Sequence, residues 1–296
     1  MIKKLYYKFI PSSRKKSMAT RFTRSTFGNI CCFVLITAAG LFSMLPLIYA
    51  VVTSFKPIDE LLIFPPTFFV RRPTTENYVA LPTLLSSLSV PLSRYVFNSL
   101  FITVFTSILN IVFSAMAAFS LSKGTYKGRG IIFMIIQFAL MFTLSVPQYV
   151  IFSELHIVNT YWVYILPQLA GTLGVFLIKQ YIEGYVPDAL LEAAKIDGAG
   201  YLRIFWRIIM PIIKPAWLTV TLFAFRDIWA SIPNGTIFDE KLKTLPQIVT
   251  QVTAGGTART GSAMALTTIM MIPPIIIYLI SQSNVVEAMS SAGIKE

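Results

Sequence analysis

The sequence predicts an all-α integral membrane protein with six transmembrane helices. The 296 residues are 55% hydrophobic and only 13% charged, which is too apolar for a soluble domain of this length. Six stretches each approach the roughly 20 apolar residues that a helix needs to cross the hydrocarbon core. Lysine and arginine cluster in alternate segments between these stretches, which gives the predicted helices one consistent orientation.

Six spans are predicted, and the third to the sixth are interrupted by proline. They run over 30–54, 96–122, 130–153, 159–182, 208–232 and 263–283. The interrupting residues are Pro147, Pro167, Pro211 with Pro215, and Pro273 with Pro274. Such breaks favour kinks beside a cavity, where neighbouring helices or water satisfy the freed backbone groups. Ordinary proline use in membrane helices explains them equally well.

The distribution of positive charge predicts that both termini are cytoplasmic. Eight of the 25 lysines and arginines lie in the first 24 residues, where there is no acidic residue. The net charge of +12 therefore reflects cytoplasmic retention and attraction to anionic lipid rather than nucleic-acid binding. The loops 123–129 and 183–207 are expected on the same side. The external loop 55–95 is expected to form an extended proline-rich cap, and 233–262 a flexible lid or docking surface.

Four parts follow from this topology. They are a basic cytoplasmic arm (1–29), the first span with its external loop (30–95), a five-helix core (96–283) that contains the loop 183–207, and a cytoplasmic tail (284–296). No catalytic or metal-binding residue is predicted, because His156 is the one histidine in the sequence. The glycines of 124–130 lack the lysine of a nucleotide-binding loop, so any ATP must be bound by another chain.

The loop 183–207 is the most informative stretch. A short helix is predicted over 189–196, with small alanines that let another surface approach and Glu192 at its exposed edge. Gly198 then allows a sharp change of direction. Beyond it, an apolar face and a pair of arginines at i, i+4 predict an amphipathic helix. The apolar face consists of Ile204, Phe205, Ile208 and Ile209, and the arginines are Arg203 and Arg207. The pattern fits either a grip for another protein or an interfacial helix lying on the membrane.

The spacing within this loop resembles the signature of permease subunits in binding-protein-dependent ABC importers. That signature reads Glu-Ala-Ala, three residues, Gly, nine residues, Ile-x-Leu-Pro. The chain supplies Glu192-Ala193-Ala194, Gly198, Ile208 and Pro211 at these spacings, with Met210 in place of the leucine. The extended form is similar to the carbohydrate-uptake branch, in particular its maltose-type subunit.

The resemblance implies a type I importer permease fold in a bacterial inner membrane, and a subunit that is not an enzyme. It implies a second homologous permease, an extracytoplasmic sugar-binding protein and a cytoplasmic ATPase dimer, which binds the ATP and magnesium. The short helix would be a coupling helix that docks on the ATPase, and the tail would add a second contact. The implied coupling residues are Glu192, Ala193, Ala194, Asp197, Gly198, Ala199, Arg203 and Pro211, with Gly293 and Lys295 in the tail.

The substrate path is less well defined by sequence. Arg226 and Asp227 are charges at membrane depth, so they line the path, pair across the seam with the second permease, or form an ion pair near the external interface. Polar and aromatic groups suited to a sugar are Tyr164, Gln168, Thr172 and Trp229. The family usually has a Trp-Asn pair where this chain has Trp229-Ala230, which leaves the substrate open.

An oligosaccharide cargo follows from family analogy alone. An ABC importer for a non-sugar solute remains the nearest alternative. An ion-coupled secondary transporter would need a midplane carboxylate or an internal repeat, and the spans offer Asp227 with no evident repeat. A membrane-anchored signalling protein would need a soluble domain that the chain lacks.

Overall fold

The computed structural model describes residues 26–86, 90–141, 148–169, 171–233 and 235–293, and shows an all-helical protein. Helix accounts for 78% of the chain, and the described residues contain no strand. The predicted fold class is therefore confirmed. The chain divides into two units, 1–49 and 50–296. In the first unit, the described residues belong to helix α1 (Thr26–Ser54), which continues through Pro46 and ends in the second unit.

The second unit holds the remaining helices. These are α2 (Ile58–Leu61), α3 (Glu76–Ser86), α4 (Leu92–Lys123), α5 (Arg129–Met141), α6 (Gln148–Glu154), α7 (Trp162–Leu169), α8 (Thr172–Tyr185), α9 (Asp188–Ile196), α10 (Tyr201–Ile212), α11 (Lys214–Trp229), α12 (Leu245–Thr253) and α13 (Thr260–Gly293). The middle of α10, Phe205–Ile209, is a π-helix. Two short 3₁₀ helices, Glu240–Leu242 and Thr257–Arg259, flank α12.

Four helical segments of the described chain are long and apolar enough to cross a membrane. They are Phe27–Ser54, Leu92–Lys123, Trp162–Tyr185 and Thr257–Gln282. Helices α10 and α11 qualify together as a fifth, although they meet at 81°. The third predicted span corresponds to α5 and α6, with 142–147 outside the described residues. A multi-pass membrane protein is thus supported, and the count of six spans stays a prediction.

The prolines affect the predicted spans differently. The bend between α10 and α11 falls at Ile213, between Pro211 and Pro215, as a proline kink would. Pro167 lies two residues before the end of α7, where the fourth span is broken. In contrast, α13 continues as one helix through Pro273 and Pro274.

Helix α4 organises the second unit and packs most extensively against α8 and α11. Its buried face includes Ala115 and Ala118, which meet Ile178 and Ile182 of α8 in one apolar cluster. Small residues at such a contact let two helix backbones approach closely, which is how membrane helices gain packing energy. The same cluster contains the buried residues of α9 and α10, so the loop 183–207 is part of the packed core.

The two predicted external loops are more structured than expected. Within 55–95, Glu76–Ser86 is a helix, so the predicted extended cap was wrong for that part. Within 233–262, Leu245–Thr253 is a helix at whose start Oε1 of Gln247 accepts from the N–H of Thr244 at 3.1 Å. Five of its residues are buried, because its apolar face packs on α4 and α13. The flexible-lid prediction therefore fails for this helix, whereas residues 253–259 around Gly255 and Gly256 form a continuous exposed stretch.

Candidate coupling segment and polar cavity

Helix α9 has one face held by the protein and one face free. Pro187 precedes its first residue in an extended conformation and supplies no N–H, which suits a helix start. Leu191 and Ala194 are 6% and 7% exposed and pack in the cluster with α4 and α8. Glu192 and Ala193 are exposed on the other face. The helix is thus held against the bundle while its exposed face offers both charged and apolar side chains, among them Glu192 and Ile196.

The end of α9 is a Schellman turn. The N–H of Ala199 donates to the carbonyl of Ala194 at 2.9 Å, and the N–H of Gly198 donates to that of Lys195 at 3.0 Å. Gly198 adopts φ = +77°, in the left-handed region that a β-carbon disfavours. Ala199 packs against the cluster that contains Ala194, which supplies the apolar contact typical of this motif. Gly198 therefore sets the angle between α9 and α10.

Helix α10 is amphipathic in the way the sequence predicted. Ile204, Phe205 and Ile209 are buried in the same cluster as α9, whereas Arg203 and Arg207 are exposed. The exposed face also carries apolar side chains, namely Tyr201, Leu202 and Trp206. The π-helical turn at Phe205–Ile209 inserts an extra residue per turn, so the periodicity of an ordinary helix describes this face only approximately.

Lys123 fastens the end of α4 to the start of α9. Its Nζ donates to the carbonyl oxygen of Val186 at 2.7 Å and to Oδ1 of Asp188 at 2.6 Å. The lysine side chain is 13% exposed and that of Asp188 is 78% exposed. The hydrogen bond and charge of Lys123 lower the pKa of Asp188, which keeps its carboxylate ionised. We call this set of contacts, Lys123 with Val186 and Asp188, the lysine clamp.

The predicted coupling residues occupy different environments. Those exposed are Glu192, Ala193, Asp197, Gly198, Arg203 and Pro211. Ala194 is instead buried and Ala199 half-buried, so both pack against the apolar cluster and do not belong to the exposed surface of the turn. Gly293 is the last residue of α13, and Lys295 lies outside the described residues.

Two of the predicted substrate-path residues lie in the packed interior. Tyr164 is 3% exposed, and its hydroxyl donates to Oε1 of Gln247 at 2.6 Å. Trp229 is also 3% exposed, stacks on Phe225 and donates from Nε1 to the carbonyl of Met270 at 3.0 Å. Both side chains tie helices together, so neither is free to meet a solute.

Two others line one cavity. Gln168 and Asp227 border a space of about 60 Å³ together with Asn110, which sequence reasoning did not select. Thr172 is half-buried next to this cavity but does not line it, and Arg226 is exposed on α11 without lining it. No ion pair joins Arg226 or Asp227 to another charge among the described residues.

At the opposite end of α4 from the lysine clamp, a polar network holds the segment before α12. Asn98 donates from Nδ2 to the carbonyls of Lys241 and Lys243 at 2.8 and 2.9 Å, and accepts from the hydroxyl of Tyr161 at 3.0 Å. Ser99 accepts from the N–H of Leu245 at 2.8 Å. Asn98 and Ser99 are buried, so their polar groups need these partners.

Sequence reasoning missed Lys123, Asn98 and Asn110. A signal for the asparagines was present, because two amides in an otherwise apolar span are expensive unless they are paired. Lys123 was counted only as a loop charge.

The comparisons with known proteins agree on one family. The chain is 31% identical to the probable ABC transporter permease protein YurM of Bacillus subtilis, over 84% of this chain and 83% of that protein. It is 30% identical to the probable starch degradation products transport system permease protein AmyC of Thermoanaerobacterium thermosulfurigenes, over 69% of this chain and 77% of the relative.

A solved structure of similar fold is a chain of a bacterial ABC transporter involved in the import of the acidic polysaccharide alginate. The TM-score is 0.71 at 22% identity, over 88% of this chain and 98% of that one. No protein-family model matches the chain.

Proposed function

Because the chain belongs to the sugar ABC transporter permeases, which are transport subunits and not enzymes, we propose that it is one permease of an ATP-driven oligosaccharide importer. A second permease completes the translocation path, and an extracytoplasmic binding protein delivers the sugar. A cytoplasmic ATPase dimer binds ATP with magnesium. Both termini and the loop 183–207 face the cytoplasm of an inner membrane.

The observation that carries this proposal is the construction of α9. Its inner face, with Leu191 and Ala194, is buried in the apolar cluster that also contains residues of α4, α8 and α10, the lysine clamp ties its start to α4, and its outer face leaves Glu192 exposed. A helix held in this way moves with the bundle, so a force applied to its outer face reaches α4 and α8 directly. The contact needs only to differ between two states of the ATPase to drive a conformational change.

Glu192, Ala193 and Asp197 form the proposed docking surface, with Arg203 on the adjoining helix. Glu192 pairs with a basic side chain of the ATPase. Pro211 sets the bend that leads back into the membrane, and Gly293 with Lys295 contributes a second contact from the tail. The oligosaccharide assignment draws its support from relatives such as the starch-product permease AmyC.

The experiment is co-purification of the ATPase with the tagged permease from solubilised membranes. Glu192→Ala should reduce the amount of ATPase recovered, while Glu154→Ala, which removes an exposed carboxylate at the end of α6, should not. Equal recovery with both variants would refute docking through α9. A transporter whose solute uptake follows an ion gradient and does not require ATP would refute the importer assignment as a whole.

A further inference from the structure

The break in the fourth span marks a polar site inside the bundle. Helix α7 ends at Leu169 and α8 begins at Thr172; between them, residue 170 lies outside the described residues and Gly171 has a non-helical conformation. Non-helical backbone at membrane depth is tolerated where protein buries it or where it lines a hydrated cavity. One carbonyl at this break, that of Gln168, accepts from Nδ2 of Asn110 at 2.5 Å. The cavity described above opens beside this hydrogen bond.

Two glycines of the fourth span bring its backbone against the polar side of α4. A β-carbon at Gly171 would lie 2.5 Å from Nδ2 of Asn110, and one at Gly174 would lie 2.7 Å from Oγ of Ser114. Both glycines line the cavity. Asn110 and Ser114 are one helical turn apart, and each is at least 96% buried. Side chains larger than hydrogen would therefore collide with Asn110 and Ser114 unless these groups or the helices moved.

Hydroxyl groups on the same side of α4 lack protein partners. Oγ of Ser107 and Oγ of Ser114 are buried without a hydrogen bond among the described residues. They lie three residues before and four residues after Asn110, so all three share one helix face. A buried hydroxyl without a partner is costly in an apolar setting, and a water molecule or a solute hydroxyl would relieve that cost. Neither serine lines the cavity, so these hydroxyls show that the side of α4 around Asn110 is polar but do not form the cavity wall.

The charge that lines the cavity is negative and exposed, while the neighbouring Arg226 is exposed without lining the cavity. Asp227 is the one charged residue among those that line it, and no lysine or arginine of the described chain joins it there. The remaining polar groups are the amides of Asn110 and Gln168, and Phe223 adds an aromatic ring. A carboxylate and amides bind sugar hydroxyls by hydrogen bonds, whereas a carboxylate repels a carboxylated solute. At about 60 Å³ the space holds a few water molecules, so it can receive an edge of a sugar but not a whole ring.

We propose that this cavity is a hydrated, anionic half-site of the translocation path, which binds hydroxyls of uncharged saccharides and discriminates against acidic ones. The inference rests on the proposed importer function and narrows its substrate class. The carboxylate of Asp227 determines the selectivity for charge. The hydrogen bond from Asn110 to the carbonyl of Gln168 fixes the interrupted span beside the cavity. The second permease supplies the facing half.

The test measures access and charge at the cavity with small thiol reagents. Ala224, which lines the cavity, is changed to cysteine in a background with Cys31→Ser and Cys32→Ser. Membrane vesicles carrying the whole transporter are treated with methanethiosulfonates that bear an ammonium, a hydroxyl or a sulfonate group. The matched control is Ala216→Cys, on the same helix but buried in the apolar cluster.

Ala224→Cys should react with the ammonium and hydroxyl reagents at least about tenfold faster than with the sulfonate, after correction for their rates with a free thiol. Adding Asp227→Asn should bring the ammonium and sulfonate rates together, while Ala216→Cys should stay unreactive with all three. Failure of Ala224→Cys to react would overturn the hydrated site. A charge preference that survives Asp227→Asn would overturn the role of Asp227. Neither result bears on recovery of the ATPase, so this proposal can fail while the coupling proposal stands.

Discussion

Replacing Lys123 with methionine isolates the contact that fixes the start of α9. Methionine keeps most of the apolar stem and removes the ammonium group, so both hydrogen bonds of the lysine clamp are lost. The carbonyl of Val186, a residue only 2% exposed, is then left without this donor. The carboxylate of Asp188 is instead free to be solvated, because its side chain is 78% exposed.

The two losses differ in magnitude. An unsatisfied buried acceptor costs about 1–3 kcal/mol. An exposed ion pair is screened by solvent and contributes little. Lys123→Met should therefore lower the free energy of unfolding by about 1–3 kcal/mol, mostly through Val186. Asp188→Asn should cost clearly less, since it leaves the hydrogen bond to Val186 in place.

The assay is denaturant unfolding of the purified protein in mild detergent, with Lys127→Met as the control. Lys127 is an exposed lysine of the same loop, so its replacement should have no measurable effect. The reasoning is refuted if Asp188→Asn destabilises as much as Lys123→Met, because the ion pair would then outweigh the carbonyl contact. A cost for Lys123→Met no larger than that for Lys127→Met would show that the clamp contributes nothing.

Three further predictions concern the same framework. Leu191→Ala should lower the free energy of unfolding by about 2–5 kcal/mol, because the Leu191 side chain on the inner face of α9 is buried. Leu190→Ala, on the exposed face of the same helix, should lower it little. Asn98→Leu should increase proteolytic cleavage of the segment before α12, because the two hydrogen bonds from Asn98 to that segment are lost; an unchanged cleavage rate would contradict the network. Lys123 lowers the pKa of Asp188. The contribution of this ion pair to the free energy of unfolding is therefore present at neutral pH and is lost as the pH falls through the lowered pKa. The melting temperatures of the wild type and Asp188→Asn should differ at neutral pH and converge in acid.

The elements that sequence predicted well are those with strong local signals. Long apolar runs defined the spans, and the spacing from Glu192 to Pro211 located both α9 and the turn at Gly198. The turn with φ = +77° at Gly198 could be predicted from the sequence because few residues other than glycine tolerate that conformation. The apolar face of α10 followed from periodicity for the same reason.

The features that sequence did not provide depend on tertiary contacts. Ala194 belongs to the signature, but only packing shows that it faces the bundle. Tyr164 and Trp229 have the chemistry of a sugar site, yet their polar atoms are engaged with Gln247 and Met270. The sequence gives the type of each side chain and its position around a helix. It does not give the helix that the side chain meets, which is why Asn110 was missed.

The same limit explains the loop 233–262. The paired glycines suggested mobility, and Pro246 near the start of α12 reads equally well as loop or as the first turn of a helix. The hydrogen bond from the N–H of Thr244 to Gln247 and the burial of Leu245 and Ile248 decide in favour of helix. Tertiary burial thus determined a structure that local preferences left undecided.

The central claim, that α9 transmits the force of ATP hydrolysis, is tested most directly by ATP-driven solute uptake in membrane vesicles carrying Gly198→Pro. Proline fixes φ near −65°, so it cannot adopt the +77° of Gly198, and the angle between α9 and α10 must change. The control is Gly200→Ala, at φ = −70° with open space around it. We predict that Gly198→Pro abolishes uptake while the protein still reaches the membrane, and that Gly200→Ala transports as the wild type does. Uptake that persists in Gly198→Pro would contradict the assignment of α9 as the coupling helix.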